Sequence, residues 1–225
     1  MNISVENCFK QKYDKLWDCV EKNFSNCELV SNGYDVVDHI YENSMMIVGL
    51  NPSIGKNDKP QKFFEKLNSN SYPRYYHPIF DFAHECGFDM NFSYADIFAM
   101  RCSSQKHILN AIKQNKQFKV FCIEQFCLFK EILLLAKPSV IVVANSYAKQ
   151  WFVKGEDCLN NKHAFTIEMD GDIGTYRIKE ESVLNNVPVF FSCMLSGQHS
   201  LDLGSRERLV WHIKKIISKE FAETP

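Results

Sequence analysis

The run Met45-Met46-Ile47-Val48-Gly49 is apolar without interruption, and it breaks abruptly into Leu50-Asn51-Pro52-Ser53. A short apolar run closed by Gly and a Pro-containing turn reads as a strand buried on both faces. Such strands belong to parallel sheets covered by helices. The turn places one polar side chain, Asn51, at the strand's carboxyl end. Ligands of open α/β sheets bind at that edge, so an amide there, stiffened by Pro52, is a candidate catalytic group. Taken alone, Asn-Pro-Ser also reads as a plain turn.

Helical and strand patterns alternate along the rest of the chain. Phe9, Tyr13, Leu16, Trp17 and Val20 recur at three- and four-residue spacing, which predicts a helix over 5–23. Residues 60–67 are expected to start a short helix and 77–86 a better one, stopped by Gly87. Residues 93–100 read as a second strand. A helix over 118–135 leads to Pro138 and the clear strand 139–144. Two runs, 164–169 and 175–179, flank Asp170-Gly171-Asp172 as a hairpin. A last strand over 187–193 precedes a final helix with Ser205 as its expected N-cap. The expected fold is a three-layer α/β/α domain spanning 1–225 around a mainly parallel sheet. Residues 1–44 are expected to be a helical extension and 156–186 a hairpin insertion.

Composition narrows the function classes. The 225 residues are 45% hydrophobic, enough for one full core, and the net charge of −1 argues against a strongly electrostatic, non-specific nucleic-acid binder. Residues 1–9 lack the apolar segment of a signal peptide, and no apolar run approaches the roughly 18 residues of a membrane span. Nine scattered cysteines read as reduced thiols. A cytoplasmic monomer, not bound to a membrane, is therefore expected.

The order of the motifs carries a resemblance. Gly-Leu-Asn-Pro-Ser is followed by the loop Tyr72-Pro73-Arg74-Tyr75-Tyr76-His77-Pro78, then by an acid on the second strand, Asp96, and finally by Ser196-Gly197-Gln198-His199-Ser200 before the last helix. Over residues 45–217 this resembles the uracil-DNA glycosylase superfamily, particularly its mismatch-specific thymine/uracil branch. The first motif of that branch is Gly-Ile-Asn-Pro-Gly, and its closing motif is a Ser-containing turn. The closing motif here is degenerate: Met194 falls where a polar residue is expected, and His199 sits several positions late.

The resemblance implies a uracil-DNA glycosylase-like fold and a monofunctional enzyme. Such an enzyme flips a nucleotide out of DNA and hydrolyses its N-glycosidic bond. Asn51 would aim the attacking water, and His199, with backbone N–H groups near Ser196 and Gly197, would stabilise the departing base. Tyr75 or Tyr76 would stack on the flipped base. Gln198 or Leu195 would fill the gap left in the duplex, while Arg206 and Arg208 would contact phosphate beside the last helix.

Two departures bear on the substrate. Ser53 replaces the bulky Tyr that blocks pyrimidine C5 in classical uracil enzymes. Asp96 aligns with the Asn that pairs with the base's O4/N3 edge, and a carboxylate accepts from the exocyclic amine of cytosine. Together they point to a 5-substituted cytosine, as in hypermodified phage DNA. Uracil/thymine mismatch repair and a non-catalytic nucleic-acid-binding role stay open. No cofactor is expected. The iron–sulfur cluster of some superfamily members needs an N-terminal Cys-x-x-Cys, and Cys8, Cys19 and Cys27 do not supply one. No metal site is expected either.

Overall fold

The computed structural model describes residues 1–24, 27–67, 75–89, 91–154, 164–197 and 200–223. The first elements are β1 (Asn2–Ser4), α1 (Val5–Asn23), α2 (Glu28–Ser31), β2 (Gly33–Val37), β3 (His39–Tyr41) and β4 (Met45–Gly49). Then come β5 (Gln61–Glu65), α3 (His77–Glu85), β6 (Phe92–Asp96), α4 (Gln105–Gln114) and α5 (Lys116–Ala136). The last are β7 (Val140–Val143), α6 (Ser146–Lys154), β8 (Ile167–Asp170), β9 (Thr175–Ile178), β10 (Pro188–Phe191) and α7 (Leu203–Glu223).

A six-stranded sheet runs β6-β4-β7-β10-β9-β8. The first four strands are parallel, and β9 and β8 extend the edge antiparallel. The period-two alternation of strands splits the apolar run between two cores. Met46 and Val48 join Ile141 and Val143 in one core, while Met45 and Ile47 join Val140 and Val142 in the other. On the first side α1, α5 and α6 contribute Trp17, Phe126 and Trp151. On the second, α3 and α7 contribute Phe82 and Ile213. Helices therefore cover both faces of a mostly parallel sheet. Burying each such aromatic or aliphatic side chain is worth about 1.5–3 kcal/mol, which explains why every β4 residue is buried.

Several boundaries differ from expectation. Residues 61–65 form β5, a strand pairing in parallel with β2, where the sequence suggests a helix. The adjacent Phe63 and Phe64 point to opposite faces: Phe64 packs on the first core and Phe63 does not. The expected helical extension over 1–44 also carries β1, β2 and β3. The hairpin is part of the main sheet, because Pro188 and Val189 of β10 pair with β9. Helix α7 starts earlier than Ser205: Asp202 is its cap, with the Ser205 N–H donating to Asp202 Oδ1 at 2.9 Å. Before Pro138, α5 ends on Lys137 in the left-handed conformation (φ 44°).

An aromatic cluster anchors β2. Trp17 meets Tyr34 and Phe121 edge-on, at centroid distances of 5.0 and 4.9 Å. The segment after β6 holds β2 from the other side, since the Asp35 N–H donates to Ala99 O at 3.0 Å and the Arg101 N–H to Gly33 O at 3.3 Å. Cys8, Cys19, Cys27, Cys86, Cys102 and Cys193 are free thiols. No helix among them is long and apolar enough to cross a membrane.

Candidate functional site

The four parallel strands, taken in chain order, run 2-1-3-4, so the order reverses beside β4. In open α/β sheets the crevice at such a switch point, outside the carboxyl ends of the strands, is where ligands bind. A cleft of about 520 Å³ opens there, reaching Asn51, Pro52 and Ser53 after β4, Asp96 at the end of β6, and Ala144 and Asn145 after β7.

Asn51 is held in one orientation. Its Nδ2 donates to Pro52 O at 2.8 Å and to Cys102 O at 2.7 Å. Both partners are carbonyl oxygens, so the amide cannot be flipped without losing both bonds. Its Oδ1 is thereby committed to the accepting side of the cleft chemistry, able to take a hydrogen bond from a water or substrate hydroxyl. The same backbone path is pinned by Phe98 N–H to Leu50 O at 2.8 Å and Cys102 N–H to Pro52 O at 3.0 Å. On the neighbouring strand end, Asn145 is 5% exposed and caps α6: its Oδ1 accepts from the N–H groups of Tyr147 (2.8 Å) and Ala148 (3.1 Å). Among the described residues nothing accepts from its Nδ2. The two amides offer the crevice complementary atoms, an acceptor from Asn51 and a donor from Asn145.

Asp96 faces Gly49 in the β4–β6 register. Tyr94, two residues earlier on the same face, donates its hydroxyl to Asp96 Oδ1 at 3.0 Å. A Cβ on Gly49 would overlap both Asp96 Oδ1 and the Tyr94 hydroxyl, so glycine is what lets this pair lie over β4. Burial pushes the Asp96 carboxyl from its ordinary 3.8 up to about 8; the Tyr94 hydrogen bond opposes this and the charge of Asp35 adds to it. At neutral pH the group is therefore mostly a carboxylic acid, a donor as well as an acceptor. That corrects the sequence-based expectation of an acceptor-only carboxylate.

The wall opposite comes from β2 and β5. Register pairs Asp35 with Phe63 and Val37 with Glu65. Paired positions of parallel strands share a face, so Asp35, Phe63 and Glu65 line the cleft while Tyr34 and Phe64 enter the core. Burial, then the charge of Glu65, pushes Asp35 up to about 7 against the pull of Arg101. Burial raises Glu65 as well. Arg101 is 3% exposed. It donates from Nη1 to Lys59 O at 3.0 Å and from Nη2 to Asp58 Oδ2 at 3.1 Å, and its guanidinium lies 5.2 Å from the Phe63 ring centre. Its buried Nε has no hydrogen-bond partner among the described residues. The described lining thus carries Asp35, Asp58, Glu65 and Asp96 against the single cation Arg101. Among the described residues no group of three or more His, Cys, Asp and Glu is placed to hold a metal ion.

Of the residues singled out in the sequence, Asn51, Ser53, Tyr75, Tyr76 and Asp96 converge on this cleft. Ser53 is exposed. Tyr76 is 7% exposed and sits edge-on between Tyr75 (5.3 Å) and Tyr94 (5.4 Å), which makes it a packing ring. Tyr75 keeps 38% of its surface exposed and lines the cleft. Gln198 and His199 lie outside the described residues, as do Tyr72, Pro73 and Arg74. Met194, four positions before Gln198 in the sequence, lines the cleft. Beyond it, Leu195 and Ser196 are buried, so Leu195 is a core residue rather than a wedge, and Gly197 takes a φ of 88°. Arg206 does not reach the cleft and donates to Glu85 Oε1 at 2.8 Å; Arg208 donates to Ser205 Oγ at 3.1 Å.

Asp35, Glu65, Tyr94, Arg101 and Asn145 are site residues that sequence reasoning missed. The available signal was an acid between buried neighbours in Gly33-Tyr34-Asp35-Val36-Val37, the period-two mark of a strand with one wet face. No protein-family model matches this chain, and no curated protein matches it either.

Proposed function

We propose that this chain is a DNA glycosylase with a uracil-DNA glycosylase-like fold, hydrolysing the N-glycosidic bond of a flipped, modified pyrimidine such as a 5-substituted cytosine. The observation that carries this reading is Asn51: two backbone carbonyls hold its Nδ2, so its Oδ1 is fixed as an acceptor at the switch-point cleft. Water accepting this orientation attacks the anomeric carbon as the sugar acquires oxocarbenium character. The departing base gathers negative charge, which the Asn145 amide and, by the resemblance, His199 would meet with donors. The acidic lining suits a neutral base swung inside while the phosphates remain outside.

Asp96 would read the base. As a carboxylic acid it offers a two-point match to cytosine, accepting from the exocyclic amine and donating to the ring nitrogen N3. Tyr75 supplies the stacking face, and Ser53 leaves room at C5. The test is release of free base from oligonucleotides carrying uracil, a thymine mismatch, 5-methylcytosine or 5-hydroxymethylcytosine, scored as alkali-labile abasic sites. Strand breaks at a 5-substituted cytosine support the reading. A preference for uracil moves the substrate to the mismatch branch. Absence of base loss from every substrate overturns the enzyme reading.

A further inference from the structure

Resting on that reading, we infer that the β2–β5 wall forms a second subsite that selects the group at C5 of the pyrimidine, accepting a hydroxyl-bearing substituent and rejecting an anionic one. Two independent features meet there. Asp35 and Glu65 project from adjacent strands into the cleft, and among the described residues neither carboxyl receives a hydrogen bond. Arg101, with a side chain 4% exposed, presents an Nε–H that has no acceptor among the described residues. A buried donor left unpaired is destabilising, so this Nε–H is open to an oxygen acceptor that none of the described residues supplies.

The combination discriminates between substituents. A hydroxyl donates to a carboxyl and accepts from the guanidinium at once. An ammonium satisfies the carboxyls but faces the Arg101 charge and leaves Nε–H orphaned. A methyl group satisfies neither. A carboxylate at C5 offers Arg101 an oxygen too, but it cannot donate to Asp35 or Glu65 and adds a negative charge beside two carboxyls that burial already holds back from ionising. Ser53 keeps the way from the base to this wall open, since its small side chain is exposed at the cleft.

The experiment measures single-turnover base release, and equilibrium binding to the same DNA, for oligonucleotides carrying 5-hydroxymethyl-, 5-methyl-, 5-aminomethyl- or 5-carboxylcytosine. The expected order places 5-hydroxymethyl first, at least about tenfold ahead of 5-methyl, because sites built to pair a hydroxyl discriminate strongly against analogues lacking it. The 5-carboxyl substrate comes last. In Asp35→Asn and Glu65→Gln proteins, checked for folding by circular dichroism, the hydroxymethyl-to-methyl ratio falls toward one. The wild-type series decides the matter even where a variant does not fold. Equal rates for methyl and hydroxymethyl, or a preference for carboxyl or aminomethyl, overturn the subsite and leave the glycosylase reading standing. Failure to release or bind any of the four bases overturns the underlying reading instead.

Discussion

Asp96→Asn is expected to make the protein more stable while impairing its site, and the gain is expected to grow with pH. The Asp96 carboxyl is displaced upward from 3.8 to about 8, chiefly by burial. Between those two values the folded chain holds a proton that the unfolded chain releases. Raising the pH therefore favours unfolding, and the stability associated with the neutral acid is lost as pH climbs toward 8. One unit is worth about 1.4 kcal/mol, so the full displacement would amount to about 5–6 kcal/mol in a sealed site. The carboxyl opens onto a cleft, where the effective dielectric is nearer 20 than 4, and on the order of 2–3 kcal/mol is the expected cost at pH 8. Asparagine never ionises, and its Oδ1 still accepts from the Tyr94 hydroxyl. Urea titrations at pH 5, 6.5 and 8 measure the difference. The variant should lead by less than about 1 kcal/mol at pH 5 and by about 2–3 kcal/mol at pH 8. A difference that stays flat with pH, or wild type gaining on the variant as pH rises, would refute the placement of Asp96 as a half-buried, proton-holding acid.

Other substitutions probe the elements that place the site. Gly49→Ala sets a methyl group against Asp96 Oδ1 and the Tyr94 hydroxyl, and overpacking of this kind costs about 1–3 kcal/mol. Thermal melts should show that loss, and base release should fall with it; a variant as stable and active as wild type contradicts the close approach of β4 and β6. Asn145→Ala removes the cap of α6, a loss of about 0.5–2 kcal/mol by denaturant titration. Its activity should fall further than a control cap deletion at Ser104, which starts α4; equal effects would assign Asn145 to the helix alone.

Much of the frame was legible because it rests on local patterns. The helix over Val5–Asn23 shows its apolar stripe, and the β4 run could hardly be anything but a buried strand. Asn51 was legible too, since a Pro-stiffened turn after such a strand points to the sheet's carboxyl edge. The β2–β5 wall was not. Gln61-Lys62-Phe63-Phe64-Glu65 is too short and too polar to declare a period, and its partner lies in the N-terminal region, over 20 residues away. Pairing at that range depends on the aromatic cluster around Trp17, which no local window contains. For the same reason nothing in the local sequence around Asp35, Glu65 or Arg101 marks them as cleft residues. The proton on Asp96 was equally hidden: it follows from burial and from Asp35, and both are properties of the assembled cleft.

In the proposed reaction Asn51 aims the water that cleaves the glycosidic bond. Single-turnover release of free base from an oligonucleotide carrying 5-hydroxymethylcytosine, compared between wild type and Asn51→Ala, tests it most directly. Loss of a positioning group of this kind is worth about 100-fold or more. Wild type is expected to release the base, with a drop of that size in a variant that still folds, as judged by circular dichroism. Release at the wild-type rate by Asn51→Ala, or none by wild type, would contradict that role.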